Sequence, residues 1–300
     1  MNFNKNYFLW LMLCLYGFCV SAQVNSDLVM VETKSGFGGF SIVPETVRVL
    51  TDNPGYDNQP AFISEERLVF SSAPIDGTHD LIMYNFETGK FTNITRTENR
   101  SEFSPKLTDC KQYVGAVTVE EDSTQRLWLY PLNMGEPELL YDDIAPVGYY
   151  DWYDNKAAMF VLDEPHKLIF PFSRDDILTI DEEIGRSIQR RPKTDQITYF
   201  STKGNIVVDG KIAYGLKGFD LKKRISESLG LGLGDAEDFI WLNKNELLMA
   251  RDNELFIRNI NKSQTWQKIA NFNVPGYGKI SRMTLSPKKK RLVLVMEKKE

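Results

Sequence analysis

An apolar residue closing a short strand signal recurs at a fixed step in this chain: Phe62, Leu107 and Trp152 stand 45 residues apart, and Trp241 and Leu285 continue the series. The residues around the first two repeats also superpose. Pro105-Lys106-Leu107-Thr108-Asp109-Cys110-Lys111-Gln112-Tyr113-Val114 overlays residues 60–69, and Arg126-Leu127-Trp128-Leu129-Tyr130 overlays Asp80-Leu81-Ile82-Met83-Tyr84. A period of this length marks one supersecondary unit repeated along the chain, because a single unit cannot bury its own apolar faces and needs neighbours of the same kind. The step that the series skips falls near Ile188.

Residues 58–95 hold one complete unit. The pattern predicts an innermost strand at 60–63, a second at 67–71, a third at 81–85 and an outermost at 91–94. Ser64-Glu65-Glu66 makes the first tight turn and Glu87-Thr88-Gly89-Lys90 the last, where Gly89 is able to take a positive φ. Four short antiparallel strands repeated at this period predict an all-β chain of propeller blades. The units run over 58–95, 103–141, 149 to about 184, 187 to about 228, 238–270, and a composite of 280–296 with 27–51. Residues 27–51 read as third and fourth strands with no first and second before them, and 280–296 as first and second with nothing after. The expectation is therefore a six-bladed β-propeller with four antiparallel strands per blade, its ring closed by N- and C-terminal strands that share one blade. The fourth unit is the least regular. Gln196-Ile197-Thr198-Tyr199-Phe200 reads as its second strand, but 204–218 divides in several ways, and Gly230-Leu231-Gly232-Leu233-Gly234 is a loop without an evident role.

Residues 1–22 carry one positive charge, Lys5, then an apolar run over 7–20, then Val20-Ser21-Ala22. This predicts a secretory signal peptide cleaved after Ala22 and a single propeller domain over 23–300. The apolar run is shorter than the ~20 residues of a spanning helix, so no stable membrane insertion is expected after cleavage. Cys14 and Cys19 leave with the signal, so Cys110 remains alone and no intrachain disulfide forms. With 42% hydrophobic and 26% charged residues the chain holds itself together through its core. Its net charge of −5 argues against nucleic acid or an anionic membrane surface as partner.

The blade pattern resembles the six-bladed propellers of the TolB type, with WD40-like repeats, found in exported bacterial proteins. Phe103-Ser104-Pro105 and Leu285-Ser286-Pro287 stand where such blades carry S-P-D-G, although Glu65-Glu66, Cys110-Lys111 and Lys289-Lys290 replace the usual Asp-Gly. Gln125-Arg126-Leu127-Trp128, Pro146-Val147-Gly148-Tyr149, Ile184-Gly185-Arg186-Ser187 and Glu237-Asp238-Phe239 resemble a subgroup without an established activity. That subgroup often carries His where Tyr150 stands. The resemblance implies a periplasmic or secreted monomer that binds a protein, peptide or envelope component, with no cofactor.

In a propeller the residues just before each innermost strand ring one mouth of the central channel. They are Asp57 and Asn58, Glu102, Tyr149, Tyr150 and Asp151, Arg186 and Ser187, Glu237 and Asp238, and Ser281 and Arg282. Two readings fit so polar a set. A channel mouth is wet and its arginines pair with carboxylates; or groups from several blades converge to hold a ligand, such as a small anion, on the axis.

Other chemistry is poorly represented. His79, within Asp76-Gly77-Thr78-His79-Asp80, and His166 are the only histidines, too few for a zinc site without carboxylate ligands. Asp175-Asp176, Asp181-Glu182-Glu183 and Glu120-Glu121-Asp122 lack the spacing of a calcium loop. There is no G-x-S-x-G, H-E-x-x-H or P-loop motif. Two functions of different class follow. The first is a non-catalytic exported binding or scaffold propeller. The second is a small-molecule hydrolase or lactonase with a metal on the axis, held by Glu102, Asp151 and Glu237 or Asp238. Arg186 and Arg282 at the same place disfavour a divalent cation, so the first is preferred.

Overall fold

The computed structural model describes residues 25–75, 77–133 and 135–299; the expected signal peptide and Asp76 lie outside them. Every element among the described residues is a strand. β1 (Ser26–Gly36) and β2 (Gly39–Val49) form a hairpin. β3 (Gly55–Phe62), β4 (Arg67–Pro74), β5 (Asp80–Asn85) and β6 (Lys90–Asn93) follow as an antiparallel meander. The same order repeats in β7 (Ser101–Leu107), β8 (Tyr113–Val119), β9 (Gln125–Pro131) and β10 (Glu138–Leu139), and in β11 (Val147–Tyr153), β12 (Lys156–Val161), β13 (Lys167–Ser173) and β14 (Asp176–Glu182). It repeats again in β15 (Ile184–Arg190), β16 (Gln196–Val208), β17 (Lys211–Asp220) and β18 (Ile225–Leu231), then in β19 (Phe239–Trp241), β20 (Glu246–Arg251), β21 (Glu254–Asn259) and β22 (Gln267–Asn271). β23 (Tyr277–Leu285) and β24 (Arg291–Lys298) end the series.

Four of the sheets have four strands. The fifth has eight, because β23-β24-β1-β2 is joined to β3-β4-β5-β6 by a single parallel bridge between Ser26 and Tyr56. β1 lies antiparallel to β24, from Ser26 opposite Glu297 to Glu32 opposite Arg291, so strands from opposite ends of the chain share one sheet. The first strands of successive units touch in the order β3, β7, β11, β15, β19, β23, and β23 returns to β3.

Successive side chains of a strand point to opposite faces, so each unit presents two apolar faces to two neighbours. In β1, Leu28 and Met30 pack with Leu68 and Phe70 of β4, while Val29 and Val31 pack with Leu248 and Leu255 of the β19–β22 sheet. Val117 and Leu127 meet Tyr150 and Met159 in the next space, and Phe160 and Phe170 meet Ile197 and Tyr199 in the one after. Fully burying one such Val or Leu side chain contributes about 1.5–3 kcal/mol.

The tight turns lack Asp-Gly for a physical reason. A Ser or Asn at the first turn position accepts the following amides on its side chain, as Ser64 does from Glu66 N, Ser286 from Lys290 N and Arg291 N, and Asn243 from Asn245 N and Glu246 N. Lys111 and Lys289 themselves take the left-handed conformation, at φ 61° and 54°. Gly89, at φ 67°, behaves as its sequence context requires.

The fourth unit is irregular because β16 and β17 run past their neighbours as a hairpin arm that leaves Ile206, Val207, Val208 and Ile212 exposed. The glycine-rich loop has a role after all. Arg258, only 1% exposed, donates to the carbonyls of Leu229 at 2.8 Å and of Leu231, and stacks over Trp266. A Cβ on Gly232 would stand 2.7 Å from the Phe200 ring, so glycine lets this strap close over the buried guanidinium.

Candidate functional site

The inner strands begin earlier than their sequence pattern suggests: β3 starts at Gly55 rather than residue 60, and β7 at Ser101. Most of the residues expected on loops at a channel mouth therefore lie inside strands. The strands also bend. Register shifts interrupt the pairing of β3 between Asn58 and Ala61, of β7 between Phe103 and Lys106, of β15 between Ile184 and Ile188, and of β23 between Ile280 and Arg282. Gln59 and Ser104 sit at the first two bulges with φ of 54° and 53°, and Gln59 Oε1 accepts from Ser104 N at 2.6 Å. A bulge inserts one residue and re-aims those after it.

Two cavities meet on the axis. One, about 510 Å³, opens where the inner strands begin and is lined by Tyr56, His79, Phe103, Gly148 and Ser281 among others. The second, about 380 Å³, opens where they end and includes Lys106, Asp151, Arg190 and Thr284. Gln59, Tyr149, Arg186 and Arg282 line both, so they form a constriction between two vestibules rather than a ring at one mouth.

The structure brings together Tyr149, Arg186, Glu237, Asp238 and Arg282. Arg282 Nη2 donates to the Tyr149 hydroxyl at 3.1 Å, and its guanidinium lies over the same ring. Arg186 Nη2 donates to the carbonyl of Ser281 at 3.4 Å. Arg186 Nε stands 3.3 Å from Glu237 Oε2, an ion pair in which Nε makes no directed hydrogen bond. The Glu237 side chain is 56% exposed, so this pair contributes no more than about 1 kcal/mol. Ser281 Oγ is buried with no hydrogen-bond partner among the described residues. No carboxylate among those residues comes within ion-pairing distance of Arg282. Burial works against its charge, but Tyr149, Asp238 and Tyr56 together hold its pKa above the ordinary arginine value.

The other expected residues are engaged in contacts of their own, although Asn58 also lines the first vestibule and Tyr150, Asp151 and Ser187 line the second. Asp57 and Asn58 are buried beside β1, where Ser26 Oγ donates to the Asp57 carbonyl and accepts from Asn58 Nδ2. Burial raises the Asp57 pKa. Glu102 is wholly buried between sheets, accepting from Thr97 at 2.8 Å and from the Tyr130 hydroxyl at 3.1 Å; burial raises its pKa against these hydrogen bonds. Tyr150 is buried edge-on against Trp152, and Ser187 Oγ accepts from Phe239 N. Asp151 lines the second vestibule but is engaged, 3.1 Å from Lys106 Nζ and accepting from Arg190 N. The carboxylates required for an axial metal are thus dispersed, and no group of three or more His, Cys, Asp or Glu side chains among the described residues is placed to hold a metal ion.

Sequence reasoning missed Tyr56, Gln59, His79 and Phe103. His79 comes from the loop after β4 and lies 5.0 Å from the Tyr56 ring and 4.4 Å from the Phe103 ring, centre to centre. Burial lowers its pKa to about 4, so the imidazole is neutral at ordinary pH. Burial also pushes the Tyr56 hydroxyl up to about 12, with Arg282 and Arg186 opposing it, and keeps it a donor. One signal was available: Gln59, Ser104 and Tyr149 stand at the 45-residue step of the repeat.

No family model matches the chain, and no curated protein matches it. Solved structures do. The putative TolB from Agrobacterium tumefaciens is similar with a TM-score of 0.64 at 10% identity, over 92% of this chain and 99% of that one. A chain of the nidogen/laminin complex is similar at 0.57 and 11% identity, over 90% and 98%. TolB from Acinetobacter baumannii gives 0.55 at 11% identity, over 94% of this chain and 67% of that one. At such identities the likeness is one of fold: the chain has an all-β, propeller arrangement of the kind seen in TolB structures. No helix among the described residues is long and apolar enough to cross a membrane.

Proposed function

We propose that the protein is an exported, non-catalytic binding propeller of six blades, closed by its two chain ends, which takes a carboxylate of a protein, peptide or envelope ligand on its axis. The cycle of contacts from β3 to β23 and the pairing of β1 with β24 support the blade count. The N-terminal segment 1–22 supports export. The observation that carries the binding role is Arg282, a cation deep in the ring held by the Tyr149 hydroxyl, beside Arg186 Nε and Ser281 Oγ that lack hydrogen-bond partners. A guanidinium offers a planar fork matched to a carboxylate, and a ligand oxygen there satisfies groups the protein leaves open. The likeness in fold to a chain of the nidogen/laminin complex supports a protein ligand.

The test is calorimetric titration of the purified protein with acetate, the smallest carboxylate probe, against Arg282→Ala and Lys262→Ala. Lys262 is exposed and remote from both vestibules, so its removal controls for net charge. Loss of acetate binding in Arg282→Ala alone supports the reading. Equal binding by all three proteins, or no binding by any, overturns it.

A further inference from the structure

The vestibule where the inner strands begin has two unlike halves. From the units of β3, β7 and β11 it receives Tyr56, His79, Phe103, Val117, Val119 and Leu162. From β15 and β23 it receives Arg186, Ser281 and Arg282. The first half is mainly apolar and aromatic, with Asn58, Gln59 and Gln125 as its polar members. The rings of Tyr56, His79 and Phe103 pack edge to face or tilted, within 6.5 Å of one another, as a continuous wall. His79 belongs to the wall as a neutral ring, because its burial disfavours protonation. One carboxylate also lines the chamber, that of Glu297, but it lies 3.3 Å from Lys279 Nζ and is paired. At about 510 Å³ the chamber is the size of a small-molecule site, and such sites are mostly apolar with a few convergent polar groups.

Building on the axial carboxylate reading, we infer that this chamber selects an amphipathic anion: one carboxylate seated on Arg282 and Arg186, with an apolar body lying against the Tyr56–His79–Phe103 wall. The two halves act on different parts of the ligand. The guanidinium groups read the head, and the wall removes the body from water, which strengthens the head contact by lowering the local dielectric. A short carboxylate fills only the constriction and leaves the wall wet. An alcohol of the same length fills the chamber without using the arginines. The same chemistry occurs in an acyl chain and in the apolar C-terminal residue of a peptide, so both forms are suitable probes.

The experiment is calorimetric titration of the purified protein with acetate, hexanoate, N-acetyl-leucine and 1-hexanol. Hexanoate or N-acetyl-leucine should bind at least about tenfold more tightly than acetate, since each buried methylene adds to affinity. The tighter of the two assigns the body as acyl chain or peptide terminus. 1-Hexanol should bind at least about tenfold more weakly than hexanoate, since a carboxylate on arginine makes charge-assisted hydrogen bonds. Val119→Asp, at a partly exposed position of the wall, should reduce hexanoate to the level of acetate and leave acetate unchanged. Should Val119→Asp fail to fold, Phe103→Ser serves the same purpose. Equal affinity for acetate and hexanoate would overturn the chamber while leaving the axial carboxylate site standing. Equal affinity for hexanoate and 1-hexanol would overturn the head contact, and no binding by any carboxylate would overturn both readings.

Discussion

Arg282 Nη2 donates to the Tyr149 hydroxyl at 3.1 Å while its guanidinium carbon stands 5.1 Å from the centre of the same ring. One tyrosine thus holds the axial arginine in two ways, by its oxygen and by its face. Tyr149→Phe keeps the face and removes the acceptor, which water in either vestibule replaces. It should destabilise by about 1 kcal/mol or less. Tyr149→Ala removes both and should cost more, with a cation–π loss of about 0.5–2 kcal/mol added to lost packing. Urea denaturation of both variants checks this; equal midpoints would show that the ring does not position Arg282.

Glu102 supplies the sharpest contrast with the axial residues. Its carboxylate is wholly buried and accepts from Thr97 and Tyr130; once it is gone the Tyr130 hydroxyl retains Thr118 Oγ1 at 3.0 Å, while Thr97 loses its acceptor. Glu102→Ala should therefore destabilise by about 1–3 kcal/mol for each donor left unsatisfied, with acetate binding unchanged. Denaturant melts and calorimetry on one preparation separate these outcomes.

Asp27 ties the first strand to the last. Its side chain, 0% exposed, accepts from the Tyr277 hydroxyl at 2.6 Å and lies 2.9 Å from Lys298 Nζ. Removing one partner of a buried pair typically costs about 3–5 kcal/mol. Asp27→Ala should fall near the lower figure, because Lys298 retains Asp52 at 3.2 Å. Thermal unfolding gives the measurement. The conservative Asp27→Asn should recover part of the loss through the tyrosine contact.

His79 predicts a dependence on pH. Its pKa falls from 6.5 to about 4 on folding. Between those values the unfolded chain binds a proton that the folded chain refuses, so stability falls as pH drops from 6.5 toward 4 and levels off below. Asp57 and Glu102 have raised pKa values and act in the opposite direction, so the bare profile mixes the two. The difference between the native protein and His79→Gln isolates the histidine. The stability of the native protein relative to His79→Gln should be flat above pH 7 and should fall as pH drops from 6.5 to about 4.

The repeat was legible because it is written in apolar residues. Leu68, Leu127 and Leu168 are wholly buried, and burial of both faces leaves a strand little freedom in composition. The turns were legible in place but not in chemistry, since Ser64 and Ser286 replace glycine through side-chain acceptors. The site was legible only in part. Which residues of an inner strand face the channel depends on bulges such as those at Gln59 and Ser104, and no residue type announces these. A one-residue shift exchanges the faces of a strand. Glu102 was thus expected at the mouth but is wholly buried against Thr97 and Tyr130, whereas Tyr149 and Arg282, expected on mouth loops, lie within strands and line both vestibules. The aromatic wall was hidden for another reason: His79 reaches Phe103 across the boundary between two units.

The register of β1 against β24 also dictates an order of events. Leu28, Val29, Met30 and Val31, all nearly or wholly buried, pair on one side of β1 with residues 292–295, while β2 holds the other side. Bringing such distant segments together carries a loop-closure entropy of roughly 5 kcal/mol on a (3/2)RT ln n scale. The reward comes in one late step, when β24 zips between β23 and β1. During synthesis the first strand must wait, one edge unpaired, until nearly the whole chain has emerged. A chain arrested before residue 291 is thus an open ring with a bare hydrophobic edge, a species suited to chaperone capture or proteolysis rather than to binding.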